Sequence, residues 1–127
     1  MPGSYLIDPA SGVVFVRAWG RLTDAQVTTL GNAISADPAY RAHASRLEDL
    51  REVTDLAVTM SEVGWLVDRH LALQPVRRAY VVRADFAYGT ARMLGLRTGA
   101  GPDTFLVCRD LGTALEWLGL DPAMGWP

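Results

Sequence analysis

Two hydroxyl side chains, Thr59 and Ser61, lie where a helix is predicted to begin and where a phosphoryl group would be stabilised. Thr59 precedes Glu62 with the spacing of a capping box. The start of a helix has unpaired N–H groups and a partial positive charge, so either hydroxyl is a candidate phosphoswitch. In the alternative interpretation, Thr59 only caps the helix and Ser61 is a surface residue of its first turn.

His70 lies on the apolar stripe of the same predicted helix, where a partly buried imidazole titrates near neutral pH. The other members of this stripe are Val63, Leu66, Val67 and Leu71. A space between this helix and the next, near His70, Tyr88 and Met93, is a candidate pocket for a small apolar or lipid-like ligand. The alternative is a buried structural histidine. A closed apolar cavity of about 300 Å³ or more at that place would support the pocket.

Trp65 has a different position on the second predicted helix. On a helical wheel it falls opposite the apolar stripe and beside Arg69. An exposed aromatic ring next to a guanidinium is typical of protein interfaces. Trp65 and Arg69 are therefore candidate contacts for self-association or for docking of a regulator, unless a loop or the segment around Trp126 covers the ring.

The sequence contains no recognisable motif for catalysis or for metal binding. The single cysteine, Cys108, excludes an internal disulfide and a cysteine zinc site. The segment from Gly99 to Gly101 does not follow a strand and open a helix, as a phosphate-binding loop would. We therefore predict that the protein is not an enzyme and has no metal and no cofactor.

Composition restricts the partners. The chain of 127 residues has 12 basic and 14 acidic side chains and a net charge of -2, without the cationic surplus that nucleic-acid binding requires. Its apolar runs are far shorter than the about 20 residues that span a bilayer, and its start lacks a signal-peptide pattern. We expect a cytoplasmic protein that binds neither nucleic acid nor membrane.

The candidate site residues are positioned by strands and helices, and these alternate along the chain. Apolar periodicity predicts two strands, then three helix–strand units, then a last helix. The strands are predicted over 5–7, 13–18, 46–50, 79–82 and 104–108. The helices are predicted to begin at caps formed by Thr23, Thr59, Asp85 and Asp110. Predicted helix stops are Gly95 and Gly119.

Three less regular segments complete this assignment. A short helical turn is predicted over 39–44 after the Asp37-Pro38 pair. The glycine- and proline-containing segment 98–103 is predicted to be the most flexible loop. The tail after Asp121 is predicted to be loose.

The alternation predicts right-handed crossovers onto a mostly parallel sheet. The run from Ala79 to Val82 is apolar without interruption, so this strand is expected at the centre of the sheet with both faces covered. No linker or repeat divides the chain. The sequence thus predicts a single α/β domain over 1–127 with a core from about 5 to 120, a mixed, mostly parallel sheet of about five strands, and about four helices.

Three segments carry a resemblance to a known family. They are DLREV at 49–53, DFAYGTARM at 85–93, and FLVCRD at 105–110 running into ALEWL at 114–118. In order and spacing they resemble the SpoIIAA-like branch of the STAS superfamily, over most of the chain. The resemblance implies an α/β sandwich that binds partners, as anti-sigma-factor antagonists, stressosome scaffolds and regulatory modules of anion transporters do, rather than catalysing a reaction.

The resemblance also implies where a switch would lie. In regulated members, a Ser or Thr at the start of the second helix is phosphorylated, and the added charge expels the partner. Those members have an Asp-Ser pair followed by Gly, and alignment from Asp49 places Ala57 and Val58 on that pair. The expected acceptor is therefore missing, although Thr59 lies one residue further on.

Taken together, these patterns predict a non-enzymatic, cytoplasmic interaction or regulatory module of a bacterial protein. It would form a homodimer or bind a protein regulator through the second helix. A first alternative is a domain that binds a small apolar ligand or a lipid, because the fold is similar to lipid-carrier domains. A second alternative is a phosphorylation-switched anti-sigma-factor antagonist.

Overall fold

In residues 3–127, which the computed structural model describes, five strands and four helices follow one another in the predicted alternation. The strands are β1 (Gly3–Ile7), β2 (Val14–Thr23), β3 (Arg46–Ala57), β4 (Arg78–Val81) and β5 (Phe105–Cys108). The helices are α1 (Asp24–Ala36), α2 (Met60–Leu73), α3 (Asp85–Thr98) and α4 (Leu111–Trp117). The predicted domain of 1–127 includes positions 1 and 2, which lie outside the described residues.

The strands form one mixed sheet in the order β1-β2-β3-β4-β5. β1 is antiparallel to β2, and the other neighbours are parallel. This confirms the predicted mixed, mostly parallel sheet. β4 is buried along its whole length, as its apolar run predicts, but β3 rather than β4 is the middle strand.

Three helices share one face of the sheet. Sequential strand order combined with right-handed crossovers places every crossover helix on the same side. α1 packs on Val14 and Val16, and α2 and α3 pack on Tyr80 and Val82. We call this side the helix face, and the opposite side, which α4 covers, the α4 face. α2 is therefore the middle helix of a layer and has a neighbour on each flank.

The C-terminal tail packs on the α4 face. The ring of Trp126 meets Phe15 edge-to-face with 5.6 Å between centroids, and the guanidinium of Arg17 lies 4.3 Å from the same ring. The prediction of a loose tail is therefore wrong. α4 has only seven residues, and the tail covers apolar sheet surface beyond it. Because Trp126 is on the α4 face, it does not cover Trp65.

β2 and β3 are longer than their apolar patterns predict. The predicted ends at Ala18 and Leu50 are wrong, since the two strands continue as a paired ribbon to Thr23 and Ala57. Gly20 has φ 68° and lies beside a register shift, so it marks a bulge rather than the end of a strand. Within 19–23 and 51–57 the only buried residues are Leu22 and Val53, too few to give an apolar period, which explains why the pattern missed this ribbon.

α3 ends later than predicted. It passes through Gly95 and ends at Gly99, which has φ 71°, so 98–103 is only partly a loop. Gly95 lies where a Cβ would come within 2.7 Å of the Phe105 ring, so its glycine serves close packing on β5. The predicted cap at Asp85 is also wrong, because Ala84 holds that position and the Asp85 carboxylate accepts a bond from Arg109 at 2.8 Å.

Other local predictions had mixed outcomes. α4 begins as predicted, with the Asp110 carboxylate accepting from the Thr113 amide at 2.9 Å. The backbone of Gly119 is left-handed after it, with φ 81°. The predicted helical turn over 39–44 is wrong, since that segment forms two separate turns and His43 has φ 61°. No helix of residues 3–127 is long and apolar enough to cross a membrane.

Candidate functional site: a cavity between α1 and α2

The start of α2 is tied to the start of α1 by Thr59. Its hydroxyl accepts from the Glu62 amide at 3.2 Å, so Thr59 is the N-cap, and donates to Asp24 Oδ2 at 2.7 Å. Its amide donates to Asp24 Oδ1 at 2.8 Å. Asp24 thus takes the place that the predicted capping box assigned to the Glu62 side chain. Ser61 is exposed in the first turn of α2. Whether either hydroxyl is phosphorylated stays a prediction.

Further along, α1 and α2 are joined through side chains, and few of their backbone atoms come close to one another. The Thr28 hydroxyl donates to the Glu62 carboxylate at 2.8 Å. Arg69 donates to the Gly31 carbonyl at 3.0 Å and also to the Ser35 hydroxyl. α2 and α3, in contrast, pack closely. We call this line of side-chain contacts between α1 and α2 the seam. It includes Thr28, Glu62 and Arg69.

Trp65 lies in the seam. Its ring is half-buried, and a Cβ on Gly31 would lie 3.1 Å from it, so the absence of a side chain on α1 makes room for the indole. The Arg69 guanidinium is 4.9 Å from the ring centroid. The prediction that Trp65 is on the outer face is therefore wrong. A helical wheel distinguishes sheet from solvent, but a middle helix also faces its flanking neighbours, and Trp65 faces α1.

Beneath the seam is a cavity of about 120 Å³, bounded by the sheet, α1, α2 and α3. Most of its lining is aliphatic or aromatic. Representative lining residues, one or two from each element, are Val16, Leu30, Ile34, Leu66 and Leu94. Trp65 and Arg69 line it from the seam. The cavity is smaller than the about 300 Å³ typical of a ligand pocket and is nearer the about 150 Å³ of an engineered cavity that binds benzene.

The sheet contributes three charged residues to the cavity lining. Arg78 Nε and Nη2 donate to Glu48 Oε2 and Oε1, both at 2.9 Å, and Arg46 Nε donates to Glu48 Oε1 at 3.2 Å. All three are buried, with exposures of 7% for Arg46, 5% for Glu48 and 4% for Arg78. Burial would raise the pKa of Glu48, but the two guanidinium groups outweigh it and hold that pKa below its usual range. We call these residues the charged floor.

His70 is next to the charged floor. Its Nδ1 lies 3.3 Å from Arg78 Nη1, and a guanidinium has only donors, so the ring nitrogen accepts. Burial, followed by the charge of Arg78, lowers the pKa of His70 to about 4. Burial also raises the pKa of Tyr80, which lies on β4 and pairs with Glu48 in the sheet. At neutral pH the imidazole is neutral and the phenol is protonated.

The predicted pocket residues lie around the packed cluster between α2 and α3 rather than around the cavity. His70 contacts the Phe105 ring with 6.0 Å between centroids, and the Arg109 guanidinium lies 4.6 Å from the Tyr88 ring. Met93 packs into the cluster between α2 and α3. None of the three lines the cavity, so that prediction placed the pocket one helix pair too far along.

Sequence reasoning missed the charged floor and Glu62. A usable signal existed, because Arg46 and Glu48 are two residues apart in a strand and must share a face. Arg78 opens the apolar run of β4, and the parallel register pairs Arg46 with Arg78 and Glu48 with Tyr80. That register comes from the fold, so the sequence did not reveal the ion pair.

A second charged group lies on the α4 face. Asp49 accepts from Arg51 Nε and Nη2, both at 2.9 Å, and lies 3.6 Å from Arg17. The Arg51 guanidinium helps to hold the pKa of Asp49 below its usual range although burial opposes this. Cys108 is nearby, and burial raises its pKa, so its thiol is protonated at neutral pH. Within residues 3–127, no group of three or more acidic, His or Cys side chains is arranged to hold a metal ion.

These features define a small α/β domain with a cavity between its sheet and its three crossover helices. No protein-family model and no curated protein matches the chain. A solved structure does match: an uncharacterized protein of the DUF3478 family from Shewanella loihica PV-4, with a SpoIIAA-like fold. The identity is 21%, the TM-score is 0.62, and the match covers 91% of this chain and 93% of that one. The chain therefore has a SpoIIAA-like fold, as the resemblance predicted.

Proposed function

We propose that this protein binds a small, largely apolar molecule in the cavity beneath the seam. The observation that carries the proposal is the cavity itself, which is lined mostly by apolar side chains and roofed by α1 and α2, whose contact runs through side chains such as Trp65 and Arg69. Side-chain bridges such as Thr28–Glu62 and Arg69–Gly31 can break and re-form as a ligand enters.

The proposal is for binding rather than for catalysis. The titratable groups nearest the charged floor, His70 and Tyr80, each keep one protonation state around neutral pH. Proton transfer is most efficient when the pKa of the group lies near the working pH, so these two groups are suited to fixed hydrogen bonds.

Benzene is the appropriate first probe, because a cavity of similar size takes it up. We expect benzene to shift the NMR signals of cavity residues such as Leu30 and Leu66 and to raise the melting temperature. The variant Ala18→Leu places a larger side chain in the cavity lining and should abolish both effects. The matched control Ala25→Leu changes an exposed position of α1 and should keep them. Equal benzene binding by wild type and Ala18→Leu would contradict the proposal, as would no binding by wild type at saturation.

Self-association through α2 is a second candidate function, and exposed apolar side chains favour it. Met60 is 60% and Leu71 51% exposed, and about three helical turns separate them, so they lie on the same side of α2. Light scattering would detect a dimer. In that case Leu71→Glu should dissociate it, and Leu96→Glu, at an exposed leucine of α3, should not. A wild type that is monomeric at every concentration would exclude this function.

A further inference from the structure

The charges around the cavity do not balance. Among residues 3–127, four charged residues line it: the cations Arg46, Arg69 and Arg78 and the single anion Glu48. Arg69 is at the seam, where its guanidinium binds neutral acceptors. On the charged floor, two buried guanidinium groups share one carboxylate, so the floor has one uncompensated positive charge. His70 and Tyr80, which adjoin it, are both uncharged at neutral pH.

Arg46 carries the unused hydrogen-bonding capacity. Arg78 uses Nε and Nη2 on Glu48 and directs Nη1 at His70. Arg46 uses only Nε, and within residues 3–127 its Nη1 and Nη2 groups have no hydrogen-bond partner. A guanidinium has five N–H donors, so four remain on a side chain that is 7% exposed and lines the cavity. The fully buried side-chain atoms of residues 3–127 without a hydrogen-bond partner do not include these nitrogens, so they keep accessible surface that an anion can reach.

We propose that the ligand is a small monoanionic amphiphile whose carboxylate binds the Nη groups of Arg46 while its apolar body fills the cavity beneath the seam. The inference rests on the proposed function and deepens it. A carboxylate matches the planar, forked donors of Arg, which bind it through two parallel hydrogen bonds. Its single negative charge would neutralise the floor. The small cavity limits the apolar body to about the size of a benzene ring.

Three probes of similar size separate the contribution of the aromatic body from that of the negative charge. They are toluene, benzyl alcohol and benzoate. They share the aromatic body, and only benzoate is an anion. Titration calorimetry with wild type should give a dissociation constant for benzoate at least about tenfold lower than for benzyl alcohol, because a hydrogen bond to a charged group is stronger than a neutral one. Sodium formate, a carboxylate without a body, should bind far more weakly than benzoate.

The variant Arg46→Met keeps a long, flexible side chain and removes the charge, leaving Glu48 paired with Arg78 alone. We expect it to lose the preference for benzoate, so that the dissociation constants for benzoate and benzyl alcohol become similar. Arg83→Met, at an exposed arginine, is the matched control and should keep the preference. The wild-type comparison of benzoate with benzyl alcohol decides the anion preference even if Arg46→Met does not fold.

Each outcome has a definite meaning. If wild type binds toluene and benzyl alcohol but shows no preference for benzoate, the inference fails and the proposed function stands. If the preference survives in Arg46→Met, Arg46 is not the anion site and the inference is overturned. If formate binds as tightly as benzoate, the site takes a free anion and not an amphiphile. If no probe binds, the proposed function fails with it.

Discussion

The guanidinium of Arg78 on β4 binds the carboxylate of Glu48 on β3 through two parallel hydrogen bonds of 2.9 Å, buried beneath α2. A pair with this geometry compensates for the cost of burying both charges, but the loss of one member leaves the other uncompensated. In this protein the effect is amplified, because Arg46 also depends on Glu48. The stability of the helix face therefore depends strongly on one carboxylate.

Glu48→Gln tests this dependence. We expect it to lower the free energy of unfolding by about 3–5 kcal/mol, since two buried guanidinium groups lose the one carboxylate that pairs with them among residues 3–127. Urea denaturation measures the change. The control Glu52→Gln removes an exposed carboxylate that lies 3.5 Å from Arg83, and should cost no more than about 1 kcal/mol. Similar losses in the two variants would show that the buried carboxylate of Glu48 contributes no more to stability than the exposed carboxylate of Glu52.

His70 should make stability depend on pH. Its pKa is about 4 in the folded protein and 6.5 as the reference for an unfolded chain, so below pH 6.5 the unfolded state binds more protons. Stability from the neutral imidazole is present above pH 6.5 and is lost as the pH falls towards 4, with about 2 kcal/mol lost between pH 7 and pH 5. His70→Gln should remove most of that slope in denaturation curves. His43→Asn changes an exposed histidine to a residue that tolerates its positive φ and should retain the slope.

Two glycines of α3 should respond in opposite directions to alanine. Gly95→Ala places a Cβ 2.7 Å from the Phe105 ring and should destabilise by about 1–3 kcal/mol. Gly89 has open space around it, so Gly89→Ala should stabilise the helix by up to about 1 kcal/mol. Thermal unfolding of the pair is the measurement. If Gly95→Ala stabilised the protein, α3 would have to lie further from Phe105 on β5 than this distance implies.

Trp126 should stabilise the domain although it is the penultimate residue. Trp126→Ala removes the ring from Phe15 and Arg17 and should cost about 2 kcal/mol, less than a fully buried Trp because the ring is half-buried. Trp19→Ala, at a ring on the exposed side of β2, should cost less than about 1 kcal/mol. If denaturation gave equal values for both, the tail would not be docked in solution.

Negative charge should have different effects at the two candidate phosphoswitch positions. Thr59→Glu removes the N-cap and places a carboxylate beside Asp24, so a loss of about 1–2 kcal/mol is expected. Ser61→Glu adds charge in an exposed first turn, where the helix dipole favours it, and should change stability by less than about 0.5 kcal/mol. Denaturation curves of both variants test this. Equal losses of stability in the two variants would mean that the Asp24 carboxylate does not disfavour a negative charge at position 59.

Much of the fold could be predicted from the residues alone, because the signals involved are local. The caps at Thr59 and Asp110 and the left-handed Gly119 act within one helical turn, and apolar periodicity predicted the element order. A prediction failed where a residue that looks like a local signal is required by a contact with a residue distant in the sequence. Gly95 followed by Leu96 has the pattern of a helix end, yet that glycine is needed for packing on Phe105, which is distant in the sequence.

The candidate site required the tertiary structure. Two-residue spacing put Arg46 and Glu48 on one side of a strand, but only the parallel register of β3 and β4 brings Arg78 to the same carboxylate. A helical wheel separated Trp65 from the apolar stripe, but only the layer of three helices gives it α1 as a neighbour. Periodicity describes how an element divides between core and solvent, whereas a cavity and its charges depend on which elements become neighbours, and long-range packing determines that.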